Sequence, residues 1–188
     1  MILERYKALK DKVTVRKDEF SALMNFIEKE TSYLKAPAST RFHLAVEGGL
    51  LLHSVNVAET LLKIKAALYP MIDDESCVIT GLLHDLGKAG MPGMPQYTEN
   101  EPTERQRMYG YKATIPYAFN TELTYMSVPL RSLYLILPRM PLSEEETQAI
   151  MYHDGQYVDD NKSVATKEKP LTLMLQYADT FSSFVIEK

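Results

Sequence analysis

The chain has 188 residues, 45% of them hydrophobic, and a formal net charge of −4. That length and apolar content suit one compact domain with a sizeable core. The charge is spread along the chain with no basic stripe, which argues against a surface for long nucleic acid and leaves short or small anionic substrates open.

The N-terminal "MILERYKALKDK" is charged from its fourth residue and reads as neither a signal peptide nor a transit sequence. No apolar run reaches membrane-spanning length, and a cytoplasmic protein is expected. Residues 2–30 carry two stripes at helical spacing, Leu3, Tyr6, Leu9 and Val13, then Phe20, Leu23, Met24 and Ile27, and predict two amphipathic helices. "LKAPASTRFHLAVEGG" breaks the pattern, and a long helix is predicted from about Leu50 to Leu68, closed by Pro70. Asp73 is the expected N-cap of the next helix, which should end at a left-handed Gly87. The lone Cys77 within it has no disulfide partner and reads as a small core residue.

From Lys88 to about Thr124, prolines and glycines replace any helical period, and "MYGYKATIPYAF" alternates enough for a short hairpin or extended lid. Met91 and Met94 fall in this loop and suggest a mobile cover, whereas Met24, Met151 and Met174 sit on helical stripes as core filler. "RQRMYGYKATIPYAF" mixes basic residues and tyrosines; it reads either as a surface that stacks a base or as a solvent-facing hairpin. "SVPLRSLYLIL" resumes a helix, flanked by Arg131 and Arg139 as surface or phosphate-facing cations. Another helix opens at a Ser143/Glu146 capping box, and Pro170 opens the last, "PLTLMLQYADTFSSFVIEK". About seven helices with one long insertion make an all-α domain.

The four histidines are His43, His53, His84 and His153. In "GGLLLHSVNVAE", His53 taken alone is more often a core residue satisfied by one hydrogen bond than a ligand, and the same holds for His84. Asp85 changes the balance, because a helix C-terminus carries partial negative charge and disfavours an acid there. Lys88 can supply the missing positive charge; a divalent metal held by imidazoles and carboxylates supplies it more strongly. Adjacent helical residues point about 100° apart, so His84 and Asp85 reach one ion only if it lies off the helix end. Asp179 in "QYADTFSS" is an acid in an otherwise apolar helix and reads as a metal-paired buried carboxylate or as a surface residue.

Taken together, His53, His84-Asp85 and Asp179 resemble the H...HD...D signature of the HD-domain superfamily of metal-dependent phosphohydrolases. The flanks carry the resemblance further: "RFHLAVEGGLLLHSVNVAE", "LLHDLGK", "LSEEETQAIMYHDGQY" and "LQYADTFSS" are similar to four segments of such hydrolases, in order, from Arg41 to the C-terminus. The resemblance implies a helical bundle over 1–188, with N-terminal helices in 1–38 and the motif-bearing core in 41–188. It also implies one divalent ion (Mn, Fe, Co, Ni, Mg or Zn) held by His53, His84, Asp85 and Asp179, with open positions for water and a phosphate oxygen. Lys88 would neutralise phosphate charge in the transition state, and His153 would donate a proton or a hydrogen bond. Arg41 and His43 would face the substrate from other walls.

Two-metal members carry further histidines between the HD motif and the final aspartate. "YMSVPLRSLYLIL" has none, so one ion is expected rather than two. Glu47 and Asp154 are the general-base candidates by sequence proximity. The implied function is hydrolysis of a nucleotide or another small phosphoester. The alternatives are an exonuclease acting on short RNA or DNA ends and a non-catalytic module that binds metal and nucleotide.

Overall fold

A computed structural model describes residues 1–188. Eight α-helices, numbered in chain order, form an all-α architecture with one small antiparallel hairpin. No helix is long and apolar enough to cross a membrane.

Helices α1 (Ile2–Lys10) and α2 (Lys17–Glu30) bury the predicted stripes with one exception. Leu3 is exposed, and Ile2 packs against the core in its place, so the inward positions of α1 run 2, 6 and 9, and Val13 is buried just beyond the helix end. Helix α3 (Gly49–Leu68) is buried on nearly all sides of its first half, which makes it the central element. Its Gly-Gly entry uses each glycine differently. Gly48 takes a left-handed φ of 75°, and a Cβ on Gly49 would collide with the Leu44 carbonyl.

Helix α4 (Asp74–Leu83) starts as predicted, with the Asp73 carboxylate accepting from the Ser76 amide at 2.6 Å. Its end differs. The helix stops at Leu83 with His84 as C-cap, a 3₁₀ turn follows at Leu86–Ala89, and the left-handed glycine is Gly90, at φ 80°. Gly87 meets a different need, since a Cβ there would strike the Val128 carbonyl at the start of α6.

The insertion contains strands β1 (Tyr97–Glu99) and β2 (Tyr117–Phe119), paired Tyr97 to Phe119, with the short α5 (Glu104–Met108) between them. Met91 and Met94 hydrogen-bond to each other in a tight turn, and the Gly93 amide donates to Glu30 at the end of α2. This turn is therefore docked on α2, not held out as a cover. Helix α6 (Val128–Ile136) carries Arg131, a residue 2% exposed whose guanidinium donates to Gln96 and to the Thr124 carbonyl. The expected surface or phosphate-facing role of Arg131 is corrected accordingly: it latches both ends of the insertion to α6. Arg139 lies over the Phe26 ring at 3.5 Å.

Helix α7 (Glu144–Tyr152) opens with the predicted capping box. Glu146 also receives Arg16 and Ser76, and Arg16 pairs with Glu75 as well, so one cation ties the starts of α2, α4 and α7 together. Helix α8 (Pro170–Phe181) runs into a π-helical turn at Ser182–Ile186 instead of continuing regularly. One apolar cluster joins α1–α4 and α6; a second, including Val57, Cys77, Ala149, Leu171 and Leu175, seats α8 on α3, α4 and α7. Burial pushes the Cys77 thiol up to about 12, as suits an inert core residue.

Candidate metal centre

His53 from α3, His84-Asp85 from the end of α4, His153 at the C-cap of α7 and Asp179 from α8 meet in one place, and all three imidazoles are buried. Each ring is fixed through Nδ1. That of His84 lies 2.9 Å from the Gly81 carbonyl, that of His153 2.8 Å from the Ile150 carbonyl, and that of His53 3.1 and 3.2 Å from the Glu187 carboxylate oxygens. These partners only accept, so Nδ1 carries the hydrogen and Nε2 of the neutral ring keeps a free lone pair.

The Nε2 atoms point inward. His53 Nε2 lies 3.3 Å from His84 Nε2, 3.4 Å from Asp85 Oδ2 and 3.1 Å from Asp179 Oδ1, and His84 Nε2 lies 3.5 Å from Asp85 Oδ2. Two ligands about 2.1 Å from an ion and about 90–110° apart are separated by about 3.0–3.4 Å. The four spacings given are of that size, and His53, His84 and Asp179 can each offer a ligand atom within 4.8 Å of the others, so the chemistry of the set and these distances fit a first-row divalent cation.

The electrostatics describe a buried cluster rich in negative charge. Burial alone would raise the Asp85 carboxyl, but Lys88, His84 and His153 outweigh it and hold it well below the ordinary carboxylate range. Asp179 is likewise held low against burial, chiefly by His53. Burial drives His84 down to about 4. It acts the same way on His53 and His153, yet Asp179 and Glu187 push His53 up to about 9, and Asp85 and Asp154 do the same for His153. Without a cation the carboxylates thus favour the protonated form of His53 and His153, while buried His84 is held neutral.

The other expected site residues fall unevenly. Lys88 Nζ is 2.6 Å from Asp85 Oδ2. His153 Nε2 is 3.5 Å from Asp85 Oδ1 and 3.7 Å from the half-exposed Asp154. The His43 ring lies 5.2 Å from that of His53, and its Nε2 is 3.8 Å from Glu187 Oε2. Arg41 is exposed with its guanidinium over its neighbour Phe42 and makes no hydrogen bond to the cluster. Glu47 is also apart, lining a cavity of about 540 Å³ with Asn100, Lys112 and Tyr117. Sequence reasoning missed Glu187 and Asn56. An acid next to a C-terminal lysine looks like solvated charge, and only the π turn brings it back to α3.

The family model for the HD domain matches residues 50–180. No curated protein and no solved structure matches the chain. The matched span is most of the chain and holds His53, His84, Asp85, Lys88, His153 and Asp179, leaving Arg41, His43 and Glu187 outside it. The chain belongs to the HD-domain family.

Proposed function

We propose that the chain is a metal-dependent phosphohydrolase acting on a nucleotide or another small phosphoester. The observation that carries this reading is the convergence of two imidazole Nε2 atoms and two carboxylates at ligand-to-ligand spacing. His53, His84, Asp85 and Asp179 would hold one divalent ion; α6 offers no histidine for a second. When bound, such an ion lowers the pKa of a water and polarises the phosphoryl oxygen.

The chain's own residues complete the site. Lys88 sits beside Asp85, where its ammonium offsets charge on the phosphate. His153, with Asp154 next to it, presents Nε2 for proton donation to the leaving oxygen. His43 forms a further wall against His53; Arg41, exposed and turned onto Phe42, would have to swing toward the site to meet the outer part of the substrate. A small substrate agrees with the acidic net charge of −4.

The test is phosphate release from a panel of nucleotides and simple phosphoesters with Mn, Co, Ni, Fe, Mg or Zn supplied. At least one metal should support turnover, a chelator should abolish it, and Asp85→Ala should lower it by at least about 10²-fold. No release with any metal, from a protein that binds nucleotide, would contradict the enzyme reading and leave a binding module. Turnover confined to short oligonucleotides, with steep salt dependence, would replace the small substrate by nucleic-acid ends.

A further inference from the structure

The three buried imidazoles are anchored in two ways. His84 and His153 donate Nδ1–H to a carbonyl three residues earlier in their own helices, so local backbone geometry orients both rings. His53 has no such local anchor. Its Nδ1 faces Glu187, 134 residues away, whose side chain is only 1% exposed. A second contact fixes that carboxylate, because Asn56 Nδ2, on the same helix as His53, donates to Glu187 Oε1 at 3.0 Å.

From this geometry we infer that Glu187 is the positioning residue of the metal centre, locking the His53 ring so that Nε2 faces His84, Asp85 and Asp179. The inference rests on the reading of His53 as a ligand, and it concerns a residue beyond the span matched to the HD domain. The two faces of the His53 ring explain the need. Asp179 takes Nε2 and Glu187 takes Nδ1, so the C-terminal segment supplies an acid to each nitrogen of one imidazole.

The local backbone shows how one helix does both. In a regular α-helix, eight residues turn through roughly 800°, which leaves positions 179 and 187 about 80° apart and about 12 Å along the axis. The π turn at Ser182–Ile186 widens the coil, and the Glu187 amide closes a five-residue step by donating to Ser182 at 3.0 Å. Single π turns of this kind occur disproportionately at functional sites. A carboxylate on Nδ1 fixes the tautomer and ring angle of a ligating histidine and makes its Nε2 a stronger donor, and loss of such a partner typically costs 10- to 100-fold in metal affinity.

The experiment is Mn²⁺ titration of the full chain by calorimetry, on wild type, Glu187→Gln, Glu187→Ala and His53→Ala. Melting temperatures with and without Mn²⁺ accompany each titration. Glu187→Ala should bind about 10- to 100-fold more weakly at unchanged stoichiometry, and Glu187→Gln, which keeps an acceptor of the same shape, should fall between. The rise in melting temperature at fixed Mn²⁺ should shrink in the same order. A purely structural Glu187 would lower the metal-free melting temperature and leave that rise intact, which overturns the inference.

Loss of one whole bound ion in Glu187→Ala also overturns it, by making Glu187 a ligand. If His53→Ala loses Mn²⁺ while both Glu187 variants bind like wild type, the inference fails and the metal reading stands. If wild type binds neither Mn²⁺ nor any of Co²⁺, Ni²⁺, Fe²⁺, Mg²⁺ and Zn²⁺ titrated in the same way, both fall.

Discussion

Asp85 is the most connected side chain of the site. Its Oδ2 faces His53, His84 and Lys88, and its Oδ1 faces His153. A carboxylate buried to this extent requires a cation, and in the metal-free chain Lys88 is the nearest. Lys88→Ala should therefore destabilise the metal-free protein by roughly 3 kcal/mol, toward the lower end for a broken buried pair because the lysine keeps some solvent contact. A saturating divalent ion should restore most of that loss, since it supplies the missing charge to the same oxygens. Urea unfolding with and without metal measures both numbers, and an equal loss in the two conditions would show that lysine and ion do not share Asp85. At this scale the sequence was informative where local physics was violated: Asp85 stood out as an acid at a negative helix end. Glu187 violated nothing locally and so gave no signal.

At the scale of elements, the distance between His53 and His84 is set by how closely α3 and α4 cross. Gly81 lies at that crossing, where an added Cβ would stand 2.6 Å from the Ala58 Cα and 2.8 Å from its Cβ. In an unhindered helix Gly→Ala gains about 1 kcal/mol. Gly81→Ala should instead cost roughly 1–3 kcal/mol by overpacking and weaken metal binding as the two imidazoles part. Chemical denaturation gives the sign, and a stabilised variant would mean that the crossing relaxes freely. Helix starts were legible because their caps are local chemistry, as at Asp73, Ser143 with Glu146, and Pro170. The end of α4 was not, because a glycine serves either a left-handed turn or a close approach and composition does not distinguish them. Gly90 does the first and Gly87 the second. Arg131 was misplaced for a similar reason, since its acceptors belong to an insertion with no helical period of its own.

For the whole molecule, the site exists because α3, the end of α4, the C-cap of α7 and α8 converge, bringing His53 together with Asp179, 126 positions later in the sequence. No local pattern encodes that meeting; the resemblance of four ordered segments to HD-domain hydrolases implied it, and the all-α class followed from periodicity. Arg41 and Glu47, close to His53 in sequence, lie apart from the cluster, because proximity in the chain does not orient a loop side chain. In the proposed site, four side chains from α3, the end of α4 and α8 hold one ion. The most direct test is elemental analysis and equilibrium metal titration of the purified chain beside His84→Ala and Asp179→Ala. The wild type should hold one divalent ion per chain, and either variant should lose at least about 10²-fold in affinity. Wild-type protein that takes up no ion, or variants that keep full occupancy and affinity, would contradict it.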